Sequence, residues 1–115
     1  MANVTITKLQ WNTPAALPTG TAPTADTSIG SGLYAKIPVD QDERILIKVD
    51  ASASDTVKVL AGDYYGKADE DLVVLSSASG SKIFCIESTT YGKKGGFIII
   101  EAGAATSKVS AIKLA

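Results

Sequence analysis

The side chains that carry most enzyme chemistry are nearly missing from this sequence. In 115 residues there is no histidine, and Cys85 is the single cysteine. Ser-His-Asp and Cys-His arrangements need an imidazole to take the nucleophile's proton, so neither can be assembled. Cys85 lies between Phe84 and Ile86. That apolar setting, with no histidine to activate it, predicts an inert, buried thiol. One cysteine also excludes an intrachain disulfide. The four glutamates are scattered over strands and turns, so no carboxylate pair for glycoside hydrolysis is marked out. The glycine groups GSG and GKKGG match neither the phosphate-cradling loop nor the dinucleotide fingerprint, and no strand–helix context surrounds them. Asp63, Asp69, Glu70 and Asp71 offer oxygen ligands of the kind calcium takes, but without EF-hand spacing or its turn glycine. They read as a solvated loop that discourages edge pairing. Lys93 and Lys94 read as a hairpin tip, and at a net charge of -1 they make no nucleic-acid footprint. The expectation is a non-enzymatic chain with no catalytic residues, no cofactor and no metal.

What remains are residues suited to contact. Trp11, Tyr34, Tyr64, Tyr65 and Tyr91 combine apolar area with a polar tip, which suits an interface or a sugar-stacking platform and equally suits ordinary packing in the core or at its rim. The segment 12–31, NTPAALPTGTAPTADTSIGS, draws sixteen of its twenty positions from Pro, Gly, Thr, Ala and Ser, and Asp26 is its only charge. Three of the four prolines fall here, each lacking a backbone donor and biasing its predecessor toward extended geometry. The segment is too poor in apolar residues to build a core, so it reads as an extended arm that gains order on a partner. The candidate partner-binding residues are therefore Trp11, Pro14, Leu17, Pro18, Pro23, Ile29, Tyr64, Tyr65 and Tyr91.

The elements that must position them are strands. Thirty residues are Val, Ile or Thr, whose branched side chains crowd a helix and pack well on a pleated surface. No helix-length window carries apolar residues at i, i+3, i+4 and i+7. Residues 3–10 alternate, with Val4 and Ile6 on one face. Further strands are read at 33–39, 44–50, 56–62, 72–75, 82–88, 97–100 and 108–114. Between them lie ASASD (51–55), DYYGKADED (63–71), SSASGS (76–81), TTYGKKGG (89–96) and EAGAATS (101–107), read as loops and turns. From Gly32 onward no connection is long enough for a helical crossover, which predicts antiparallel order. The expected fold is all-β: an antiparallel β-sandwich or small barrel of about eight strands in all, with a first strand and extended arm over 1–31 and the sandwich domain over 32–115. No run of 18 apolar residues predicts a membrane span, and MANVTITKLQ has no basic-then-apolar signal region.

The order of these segments resembles the capsid decoration, or head-stabilisation, proteins of tailed bacteriophages and prophages. The resemblance is carried by the opening ANVTITKL, the Pro/Thr/Ala-rich stretch, DERILIKVDAS, VKVLAGD, DLVV, the G-S-K-I strand ending in ESTTY, the glycine hairpin and the closing KVSAIKL. It spans nearly the whole chain but rests on ordering rather than on a mechanistic motif. It implies a non-enzymatic protein on the exterior of the virion capsid, assembled in the bacterial cytoplasm. Its partner would be the major capsid protein, and it would either self-associate, as trimers at local three-fold positions, or sit as monomers at capsomer centres. No nucleic acid or membrane is involved. Two other readings stay open: a carbohydrate- or cell-surface-binding module using Tyr64, Tyr65 and Tyr91, and a tail or baseplate component.

Overall fold

A computed structural model describes residues 1–40, 43–62, 70–93 and 95–114. The fold is all-β, a single curled sheet of eight strands closing into half a barrel. Its strands are β1 (Ala2–Asn3), β2 (Ile6–Leu9), β3 (Thr24–Ala25), β4 (Leu33–Pro38), β5 (Arg44–Val59), β6 (Leu72–Glu87), β7 (Phe97–Ala102) and β8 (Ser107–Leu114), with a one-turn helix α1 (Ser88–Tyr91) after β6.

The long hairpin of β5 and β6 is the spine. Ile45, Ile47, Val49 and Ala51 point inward while Arg44, Leu46, Lys48 and Asp50 point out, the period-2 alternation expected of a half-buried strand. ASASD and SSASGS do not end these strands, as their composition predicts; they pair with one another. Ala51 faces Gly80 and Asp55 faces Ala78, with register shifts on either side. Two residues, Ser76 and Ser77, oppose Thr56, and Ser77 adopts a left-handed φ of 49°. Such bulges bend a ladder and raise its twist. Small, polar, turn-prone residues serve here to curve a strand and not to stop it.

The bend divides the sheet into two wings. Before it, Leu46–Ala51 pair with β8, which carries β2 on its other edge. After it, Lys58 and Val59 pair with β7, which carries β4. Both β1 and β3 add to β4. The sheet is mixed, because β1 runs parallel to β4 and β2 parallel to β8. The hairpin logic that predicts antiparallel order holds for neighbours in sequence. These two strands reach their partners across most of the chain, where connection length places no limit on direction.

The core fills the concave side. Ile37 on β4 faces Ile98 on β7, and Ala35 faces Ile100. These four pack with Ile45, Ile47, Val57, Val59, Val109 and Ala111 at essentially no exposure. FIII (97–100), expected as a buried strand, has Ile98, Ile99 and Ile100 buried, and the strand runs on to Ala102 into the stretch read as a turn. The expected hairpin loop at 89–96 is instead α1 followed by a bridge from Lys93 to Phe97. Ser88 anchors that corner: its hydroxyl donates to the Asp40 carbonyl at 2.7 Å and accepts from the Glu43 amide at 2.9 Å.

Candidate functional site

The N-terminal thirty residues divide into parts with different fates. Val4 is buried in the core, and its amide donates to the Lys36 carbonyl at 2.8 Å. Thr21 and Val109 exchange two backbone hydrogen bonds, at 2.8 and 3.0 Å, and Pro23 is fully buried. Thr24–Ala25 pair with β4, and the terminal ammonium of Met1 donates to the Ala25 carbonyl at 3.1 Å. The stretch from Gly20 to Ala25 therefore lies on the protein's own sheet. Expected to gain order on a partner, it finds its ladder partners within the chain.

Residues 10–19 behave differently. They leave the end of β2 and return at Gly20 without entering any strand. The Thr13 amide donates to the Gln10 carbonyl at 3.4 Å, and Asn12 takes a left-handed φ of 58°. Asn is one of the few residues that adopts this geometry at little cost, and a positive φ at the third position is what a type II turn demands. Trp11, at the second position, is thereby held outward at 76% exposure. The Thr13 hydroxyl caps the Trp11 carbonyl at 3.2 Å. Beyond it Pro14, Ala15 and Ala16 are exposed, and Leu17 is 81% exposed. No residue of this loop carries a charge. Leu114, 60% exposed, faces Leu9 at the strand ends from which the loop springs.

Of the nine residues singled out from sequence, Trp11, Pro14 and Leu17 share this exposed loop. Pro18 stands half-buried at its base, lining a small cavity with Val4, Thr7 and Val109. Pro23 is structural, and Ile29 lines a separate cleft described below. Tyr91 is half-buried and packs on the core from α1, so it presents no stacking platform. Tyr34 is buried at 2% exposure, its hydroxyl accepting from the Gly32 amide at 3.3 Å. Tyr64, Tyr65, Asp63, Asp69 and Lys94 lie outside the described residues. Asp71 is turned to a structural task, accepting from the Ala61 amide at 2.7 Å. Among the described residues no group of three or more metal-ligating side chains converges.

Cys85 is exposed and not buried as its neighbours in sequence imply. It faces Leu46, which faces Ile112, which faces Thr7, so a row crosses the outer face of four strands. Ile83, two residues before, is 65% exposed on the same side. Alternation within KIFCIES contained this signal: Phe84 and Ile86 take the inner face, which sends Ile83 and Cys85 outward.

Comparison with known proteins returned no matching family model, no matching curated protein and no matching solved structure. The geometry defines the class: an all-β half-barrel that displays an uncharged loop carrying exposed Trp11 and Leu17.

Proposed function

We propose that this chain is a structural protein of a tailed-phage virion that decorates the outer surface of the assembled capsid, with residues 10–19 as its anchor on the major capsid protein. The single observation that carries this reading is the exposure of Trp11 and Leu17 on one uncharged loop. A large aromatic side chain held in water has no folding role there, and Trp is among the residue types that dominate interface energetics. The Asn12 turn supports it further, because fixing Trp11 before contact lowers the ordering entropy of binding. Sequence resemblance supplies the partner class, and the chain's lack of histidine agrees with a protein that holds and does not transform.

Deleting residues 1–31 would remove β1, β2, β3 and Val4 together, so substitution is the appropriate test. Purified capsids of the phage or prophage carrying this chain are sedimented with the wild-type protein and with Trp11→Ala, Leu17→Ala and the double variant. Loss of one central aromatic anchor weakens binding by about thirtyfold. The double variant should remain in the supernatant with an unchanged melting temperature. Equal pelleting of all four proteins overturns the assignment of the anchor, and absence of wild-type pelleting overturns the function.

A further inference from the structure

We propose that the cleft at the β5 bend is a saccharide-binding site that recognises a vicinal diol between Lys58 and Glu101. The cleft has a volume of about 630 Å3. Sites for small ligands run from about 300 to 1,000 Å3, so a mono- or disaccharide fits this space. Its walls come from three parts of the chain: the Ile29–Gly32 loop, the bend of β5 from Ser54 to Lys58 facing Ser77 of β6, and the end of β7 from Glu101 to Gly103.

Lys58 and Glu101 are directly opposed across β5 and β7. Opposite charges in this position ordinarily close on each other. Here neither forms an ion pair or a side-chain hydrogen bond among the described residues, although both are half-buried and both line the cleft. An ammonium offers only donors and a carboxylate only acceptors. Adjacent ring hydroxyls of a sugar present a donor and an acceptor side by side, which matches this pair group for group. Hydroxyls of Ser31 and Ser54 stand on the rim and extend the same chemistry.

The floor is preset. Asp55 also lines the cleft, but its carboxylate already accepts from four groups of the protein, so it fixes the walls and leaves Lys58 and Glu101 to the ligand. Ser77 is held at its left-handed φ on the same wall, its amide donating to Thr56 Oγ1 at 3.1 Å. Backbone held in a sparsely populated region beside a cleft is a recurrent mark of binding sites. With no exposed aromatic ring among the lining residues, hydrogen bonds supply the affinity, and a dissociation constant of about 1–10 mM is expected.

The test is a heteronuclear NMR titration of the full chain with glucose, galactose, mannose, N-acetylglucosamine and their common disaccharides, with glycerol as the control. Saturable shifts should appear for at least one sugar and be confined to 29–32, 54–58, 77 and 101–103. Lys58→Met and Glu101→Gln should each weaken that sugar at least about tenfold while leaving the remaining spectrum native. Should either variant lose the native spectrum, Ser54→Trp, made on the exposed rim, is expected to block the cleft in its place. Absence of saturable shifts with every sugar, shifts elsewhere, or shifts that persist in the variants overturns the proposal. Capsid sedimentation is independent of this readout, so either reading can fail alone.

Discussion

The Ser107 hydroxyl donates to the Asp55 carboxylate at 2.6 Å, joining the bend of β5 to the start of β8 at a point where Ser107 is fully buried and Asp55 is 9% exposed. The same carboxylate accepts from the amides of Gly103 at 3.0 Å, Ala104 at 3.2 Å and Thr56 at 2.8 Å. The loop from β7 to β8 is thus tied to the place where β5 exchanges one partner for the other. A side chain on Gly103 would meet Asp55 Oδ1 at 2.6 Å, so only glycine lets the loop come this close. The division of the sheet into two wings depends on this carboxylate.

Replacing Asp55 with Ala strands three amides and a hydroxyl in a poorly hydrated corner. Each unsatisfied group costs about 1–3 kcal/mol when buried, and water reaches some of them, so the expected loss is about 2–4 kcal/mol. In a domain of this size that lowers the melting temperature by roughly 10–15 °C. Ser107→Ala should cost about 1 kcal/mol, and a double-mutant cycle should show the two changes strongly non-additive. Thermal unfolding followed by circular dichroism measures both. Additive effects would mean the bond does not couple the wings.

The ion pair between Lys113 and Glu43, 2.8 Å apart, joins β8 to the corner held by Ser88. The Glu43 hydrogen bond holds the Lys113 ammonium above its ordinary pKa of 10.5. A cation whose folded pKa is raised contributes its full stability below the unfolded value and loses it as pH rises through the folded one. Urea midpoints should therefore fall more steeply above about pH 10.5 in wild type than in Lys113→Met. Parallel profiles for the two proteins would contradict this linkage.

At the acid end the relevant group is Asp26. The Ser28 hydroxyl and amide both donate to its carboxylate, holding the carboxyl below its ordinary value of 3.8. Here the sign reverses: the stabilisation is present above the unfolded value and disappears as pH falls through the lowered one. Ser28→Ala should move the Asp26 carbon resonance titration upward toward the ordinary value, with no change at neutral pH. An unmoved titration would show that Ser28 does not set it.

Asn12 controls the presentation of Trp11. Asn12→Gly should leave both stability and capsid sedimentation intact, since glycine accepts a positive φ freely. Asn12→Val should cost about 1–2 kcal/mol in the left-handed region or release the turn. If the turn opens, binding weakens although Trp11 and Leu17 are both still present. Equal sedimentation by the valine variant would mean that preorganisation of Trp11 is dispensable.

The two faces of the sheet should respond in opposite ways to truncation. Ile100→Ala, at a fully buried position, should cost about 2–5 kcal/mol, whereas Ile83→Ala, 65% exposed, should change stability by less than about 0.5 kcal/mol. Chemical denaturation distinguishes them directly. A large loss at Ile83 would place the core on the other side of β6.

The all-β class and the strands around Ile45–Val49, Ile98–Ile100 and Val109–Ala111 were settled by residue type alone, whereas the exposure of Trp11 and Leu17 was not. Branched side chains, alternation and proline placement act locally, through sterics that need no distant partner. The total of eight strands, by contrast, agrees for a different reason than the spacing suggested. ASASD and SSASGS look like turns in isolation, yet pair across the β5–β6 hairpin, merging four expected strands into two; the N-terminal region supplies the short strands that restore the number. Only tertiary structure decided that merger, the parallel placement of β1 and β2, the return of Gly20–Ala25 onto the sheet, and the meeting of Asp55 with Ser107 and of Lys58 with Glu101. Each of these rests on hydrogen-bonding groups far apart in the chain, and a turn-prone residue stays in a strand when its backbone finds such a partner there.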